Sequence, residues 1–261
     1  MQANAQPLPS NILGYCKSMP KSDESKNTSN YNSWPLGKLP PEFQRREPQL
    51  IKDDGYEWDD PRYIVKMFEE KLAAYAGAKY AVTVDCASNA LFLSLKYRQA
   101  IGNVIIPART YVSVPMQIIH SGCSPIFEDF SWSGIYELKP WNIFDSAARF
   151  TRNMYQNNDA LQILSFQIKK RLPIGRGGAI LTDSKLAYDW LKLATYDGRD
   201  LDTPYDHDDH VKSLGWHFYM TPEDAARGIW LMDRIPDSNT DTMDSGHYPD
   251  LRLMKIFSKE L

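Results

Sequence analysis

The chain has 261 residues, of which 43% are hydrophobic, 24% charged and 12% aromatic, a balance that excludes a fibrous or wholly disordered protein. Thirty basic residues against thirty-three acidic ones leave a net charge of −3, without the concentrated basic charge of a dedicated nucleic-acid binder. Cys16, Cys86 and Cys123 are too few and too scattered for a disulfide framework, and no pair has metal-ligand spacing.

No apolar run approaches the ~20 residues that span a bilayer, and the first ten residues lack a charged-then-apolar secretory pattern. A soluble protein of the reducing cytoplasm is expected. Residues 1–60 are rich in Pro, Ser, Asn, Lys and Asp and read as an irregular arm. Its later part carries Trp34, Leu36, Phe43, Ile51, Tyr56 and Trp58, so it is expected to wrap over a domain or a partner subunit.

Asp60 and Pro61 read as the start of a helix in which Ile64, Phe68, Leu72 and Tyr75 recur at helical spacing until Gly77. A strand at 80–84 turns directly into a helix at 88–100. A strand at 104–106, a helix at 112–120 and a strand at 125–127 follow. Short strands are expected at 142–144, 161–166 and 179–181, then a helix from 185 to about 195. Residues 197–213 form an acidic loop. Thr221, Pro222 and Asp224 start a helix that Pro236 ends, and 237–261 is weakly patterned. The alternation means α/β architecture with a parallel sheet, a large domain over 61–236 and a short tail from 237.

Four features fall at carboxy ends of predicted strands or amino ends of helices, where open α/β sheets place ligands. Cys86, Ala87 and Ser88 join a strand to a helix, so unpaired amides and a hydroxyl can face an anion, although an ordinary serine cap has the same pattern. Tyr111 follows a strand where a ring can stack on a flat heterocycle or simply fill the core. Asp145 ends the apolar stretch 141–144. It can hold a protonated pyridine nitrogen, or serve as a helix cap or salt-bridge partner. Lys169 and Lys170 leave a strand ahead of Gly175-Arg176-Gly177-Gly178. A lysine there can form a Schiff base with an aldehyde if its amine is neutral, while two adjacent lysines also suit a solvated basic patch.

In this order the motifs resemble the DegT/DnrJ/StrS family of pyridoxal-phosphate-dependent nucleotide-sugar aminotransferases, over about residues 61–235. Ala87-Ser88-Asn89-Ala90-Leu91 is similar to the family's phosphate-binding Gly-Thr-x-Ala-Leu. Ile105-Ile106-Pro107, Thr110-Tyr111 and Gly122 through Asp129 continue in register, and Asp145-Ser146-Ala147 is similar to its Asp-x-Ala. The resemblance implies a three-layer α/β/α sandwich with a mainly parallel mixed sheet, the large domain of the aspartate-aminotransferase fold. It also implies pyridoxal phosphate as cofactor, a keto sugar nucleotide and an amino-acid donor such as glutamate as substrates, and a homodimer. Lys170, rather than Lys169, falls on the Schiff-base position and Asp145 on the ring-nitrogen position. Tyr111 falls on the stacking position, Ala87, Ser88 and Ser165 on the phosphate site, and His217 on a segment that reaches the partner's site.

The sequence departs from the family's pattern at named positions. Ala148 stands where Gln or His is usual, Ala87 replaces a Gly, and His217 and Tyr219 replace Asn and Arg. The stretch 149–159 contains no glycine, and most of a small carboxy-terminal domain has no counterpart before Leu261. These departures motivate a rival expectation, a degenerate, non-catalytic homologue serving binding or assembly. Lys170 speaks against a third, a sugar dehydratase of the same family, whose members of that type carry His there. His207-Asp208-Asp209-His210 reads as a solvated acidic loop rather than a metal site. The run Gly175-Arg176-Gly177-Gly178 opens no helix and fails the dinucleotide fingerprint, and neither a P-loop nor a Gly-x-Ser-x-Gly elbow occurs.

Overall fold

The computed structural model describes residues 43–203 and 210–257. Backbone packing separates Met1–Gln44 from the unit Arg45–Leu261, and only the latter is described below. Its elements run α1 (Glu47–Asp53), α2 (Arg62–Ala76), β1 (Tyr80–Val84), α3 (Ala87–Tyr97), β2 (Asn103–Pro107), α4 (Ser113–His120), β3 (Ser124–Glu128), β4 (Tyr136–Leu138), β5 (Ile143–Asp145), β6 (Leu161–Ser165), β7 (Gly178–Thr182), α5 (Lys185–Ala194) and α6 (Pro222–Met232). Two further single turns of 3₁₀ helix lie at Ser245–His247 and Leu251–Leu253.

Five strands form a sheet in the order β1-β7-β6-β5-β4, and β2 pairs with β3. A bridge between Ile105 and Lys139, with both amides donating across it, fastens β2 beside the end of β4. Strands β5 and β6 are parallel, as are β2 and β3, whereas β7 is antiparallel to both its neighbours and β4 to β5. Five of the seven described strands therefore point the same way. The carboxy ends of β1, β2, β5 and β6 share one edge with the amino ends of β4 and β7.

Side-chain alternation along each strand divides the core into two layers. Ala81, Leu164, Ala179 and Leu181 face α2 and α6 through Ile64, Phe68, Leu72, Ala225 and Ile229. Val82, Val84, Ile163 and Ile180 face the other side, where α3, α4 and α5 contribute Leu91, Leu95, Ile118 and Leu191. Helices on both faces of the sheet make the expected α/β/α sandwich. Helix α2 stops where Gly77, at φ +80°, adopts the left-handed conformation that lets its amide reach the carbonyl of Ala73.

Two elements depart from the sequence reading. Residues 47–53, expected inside an irregular arm, form α1, which buries Ile51 completely and is tied to α6 by Arg45–Asp224 and Arg227–Glu47 ion pairs. One full apolar anchor is enough for a seven-residue helix, and so short a stretch shows no periodicity. Tyr56 and Trp58 pack on the same core layer, while Trp34 and Leu36 lie outside the described residues. The second element is β4, whose three residues are too few to stand out from the surrounding loop.

The expected acidic loop falls partly on residues 204–209, outside the described residues, as do three of the four members of His207-Asp208-Asp209-His210. Among the described residues no group of His, Cys, Asp and Glu is arranged to hold a metal, and no helix is long and apolar enough to cross a membrane.

Candidate active site

Asp145 is the last residue of β5 and is 7% exposed. Its Oδ1 accepts the amide of Ala147 at 2.9 Å, and its Oδ2 accepts the hydroxyl of Tyr136 at 2.7 Å. Burial raises its pKa above the ordinary carboxylate range, against the pull of these two donors and of the Lys170 ammonium. Lys170 lies in the turn after β6, where its amide donates to the carbonyl of Gln167. Its side chain is half-buried, and desolvation lowers its pKa although Asp145 opposes the shift. Lys169 is exposed. The structure thus separates the two adjacent lysines by environment, and Lys170 is the one that feels Asp145.

Ala87 and Ser88 begin α3, and no side-chain hydrogen bond caps that helix at Cys86, whose backbone is extended. Gly178, the first residue of β7, lies against this turn: a Cβ there would stand 2.7 Å from the amide nitrogen of Ala87. Gly178 is also the register partner of Ser165. Glycine at 178 therefore brings the amino end of α3 over the strand end that carries Ser165. The first amides of a helix have no partner within the helix, so this start, beside the hydroxyl of Ser88, is a candidate anion site. The hydroxyl of Ser88 donates to that of Ser113 at 2.8 Å. Asp85 braces the rim: it accepts from Asn89 and Arg176 side chains, and its amide donates to the carbonyl of Phe218.

Tyr111 follows β2 on the same edge and is 58% exposed rather than filling the core. Its neighbour Thr110 is buried and reaches the hydroxyl of Tyr136 at 2.6 Å. The structure accordingly gathers Ala87, Ser88, Tyr111, Asp145, Ser165 and Lys170 along one edge of the sheet. His217 precedes Phe218, whose carbonyl accepts the amide of Asp85, and its side chain pairs with Asp197. Its ring is 2.8 Å from Asp197, edge-on to Tyr219, and mostly exposed.

The last described segment is not a loose tail. Thr242 donates its amide to the carbonyl of Ala148, Arg149 grips Asp241 through Nε and Nη2, and Ser133 bridges to Asp244. Further on, the amide of Leu251 donates to Ala108 and the ring of Phe257 packs on Phe127. Residues 239–257 thus strap the sheet edge from Thr151 to β3. The strap carries Tyr248, whose ring packs on Trp132, which in turn packs on Tyr136. Burial, with the charges of Asp145 and Tyr111, raises the Tyr248 pKa to about 12. Sequence reasoning missed Tyr136, Asp85, Arg176 and Tyr248. None of the four left a signal in the sequence, since each acts through contacts with residues distant along the chain.

The α/β/α sandwich of the described residues has the fold of the solved aminotransferases with which it superimposes. Residues 58–143 match the family model of the DegT/DnrJ/EryC1/StrS aminotransferase family. The spore coat polysaccharide biosynthesis protein SpsC of Bacillus subtilis is 44% identical over 68 residues, which are 25% of this chain and 17% of SpsC. The family resemblance drawn from the motifs is thereby borne out over residues 58–143. Among solved structures, NtdA from Bacillus subtilis with bound cofactor PMP superimposes with a TM-score of 0.54 at 17% identity, covering 77% of this chain and 57% of that one. DesI in the presence of its TDP-sugar product gives 0.54 at 19% identity, covering 74% and 58%. At these identities the structural likeness is one of fold, and the chain spans less than two thirds of each of these relatives.

Proposed function

We propose that this edge binds pyridoxal phosphate and serves amino transfer from an amino-acid donor such as glutamate to a keto sugar nucleotide, in a cytoplasmic homodimer. The observation that carries the reading is the convergence of a half-buried lysine and a buried carboxylate on the edge where glycine at 178 lets the start of α3 pack closely on the strand end carrying Ser165.

The donor set suits the group. With one donor already on each oxygen, the Asp145 carboxylate retains an acceptor position on each for a protonated ring nitrogen. The amides of Ala87 and Ser88, with the hydroxyls of Ser88 and Ser165, would hold the phosphate, and the ring of the exposed Tyr111 would cover the heterocycle. Pyridoxal phosphate, when bound, supplies an electron sink for the amino-bearing carbon of the donor. Desolvation gives Lys170 a larger share of neutral amine, so its Nζ can attach the cofactor and afterwards hold and return a proton. His217, exposed and paired with Asp197, would reach the site of a second copy.

The names of the relatives support the substrate class: one takes part in polysaccharide biosynthesis and one was solved with a TDP-sugar product. The test is to incubate the chain with pyridoxal phosphate, glutamate and a panel of keto sugar nucleotides and to measure 2-oxoglutarate and aminated sugar. Release of both is expected. A chain that binds the cofactor yet releases neither would overturn the activity and favour the second reading, the degenerate homologue. One observation favours that reading: Ala148 is 4% exposed, and its carbonyl is taken by both the amide and the hydroxyl of Thr242 from the strap.

A further inference from the structure

We infer that Tyr136 is a positioning residue for Asp145, fixing the carboxylate so that its remaining acceptor positions meet the ring nitrogen of the bound heterocycle; the inference rests on the reading that pyridoxal phosphate occupies this edge. Tyr136 and Asp145 are direct partners in the antiparallel pair of β4 and β5, so their side chains leave the same face of the sheet. Both are buried, at 6% and 7% exposure.

The direction of the hydrogen bonds follows from the inventory of protons. An ionised carboxylate only accepts, so the single phenolic proton of Tyr136 goes to Oδ2 of Asp145. Thr110, 2.6 Å from the same phenolic oxygen, must then be the donor to it. The result is a directed chain, Thr110 to Tyr136 to Asp145, with the amide of Ala147 fixing the other carboxylate oxygen. The carboxylate cannot turn about its last bond without breaking one of the two contacts. The ring of Tyr136 is itself held by Trp132, 4.9 Å away, whose indole nitrogen donates to the carbonyl of Arg109. Burial and the neighbouring carboxylate push the Tyr136 phenol well above its ordinary pKa, so it keeps the proton it donates.

The test compares wild type and Tyr136→Phe for binding of pyridoxal phosphate and of its analogue with a CH group in place of the ring nitrogen. Loss of a hydrogen bond to a charged acceptor predicts a Kd for pyridoxal phosphate raised about tenfold or more in the variant. The Kd for the analogue, which has no ring nitrogen to meet, should stay unchanged. Thr110→Val, which removes the donor one step further out, should shift the pyridoxal phosphate Kd in the same direction by less. Equal weakening for both ligands in both variants would reduce Tyr136 to a packing residue and overturn the inference, as would no weakening at all. Failure of the wild type to bind pyridoxal phosphate would remove the underlying reading, a result distinct from either.

Discussion

Gly178→Ala tests whether the candidate anion site depends on close approach of β7 to α3. The added Cβ would stand 2.7 Å from the nitrogen of Ala87, 2.8 Å from the carbonyl oxygen of Leu164 and 2.9 Å from the Cα of Ala87. Carbon contacts settle near 3.5–4.0 Å, and all three obstacles are backbone that no rotamer change can move. Overpacking of this kind costs about 1–3 kcal/mol, and each kcal/mol shifts the melting temperature of a domain this size by about 2–4 °C. A fall of roughly 2–12 °C is expected. Relief requires the start of α3 to move off the strand that carries Ser165. Losing one hydrogen bond to a charged group, worth about 1.5–3 kcal/mol, would raise the Kd for pyridoxal phosphate roughly 10- to 150-fold.

The assay pairs thermal melting with cofactor titration, using Gly102→Ala as the control. Gly102 has φ +73° and open space at its Cβ, so that variant carries backbone strain at the opposite edge of the sheet and no crowding. The control should melt lower yet bind the cofactor normally. A Gly178→Ala protein that melts and binds like wild type would refute the assigned role of this contact.

Other variants probe the site and its supports separately. Because burial raises the folded pKa of Asp145 above its unfolded value near 4, the folded chain holds that proton more firmly, and stability falls as pH rises from there through the folded pKa. Cofactor-free Asp145→Asn should lose that fall, equal or exceed wild type in stability at neutral pH, and bind pyridoxal phosphate poorly; a variant less stable there by denaturant melts would contradict this sign. Ile51→Ala, which empties a fully buried site under α1, should cost about 2–5 kcal/mol in urea unfolding, and a loss under about 0.5 kcal/mol would mean that α1 does not anchor the domain. Asp241→Ala removes the side-chain bonds of Arg149 and Ser133 to the strap. It should cost only about 1 kcal/mol globally but speed proteolysis within 239–257, and unchanged cleavage would argue against a strap held at that point.

What the sequence disclosed and what it hid have physical reasons. Helix α2 and strands β1 and β6 were legible because each buries a periodic apolar face or a continuous apolar run. The junctions carrying residues 87, 88, 111, 145 and 165–170 were legible because they lie between such elements, where open sheets expose their ends, whereas the choice of Ser165 and of Lys170 over Lys169 came from the family resemblance. Helix α1 was not, since a single buried residue, Ile51, anchors it. Strand β4 was not, because its stability comes from pairing with β5 and from the bridge to β2 rather than from its own three residues. The strap was hidden for a related reason. Its contacts are side-chain and backbone hydrogen bonds to distant loops, such as Arg149–Asp241 and Thr242–Ala148, which leave no periodic trace. Tyr136 came to notice only once the sheet register placed it opposite Asp145.

The central claim is that Lys170 carries pyridoxal phosphate at this edge. The most direct measurement is borohydride reduction of the protein with added pyridoxal phosphate, followed by peptide mass mapping of wild type and Lys170→Ala. The account predicts one phosphopyridoxyl label, on Lys170, absent from a variant that still folds. Label on Lys169, label spread over surface lysines, or labelling that survives Lys170→Ala would contradict it.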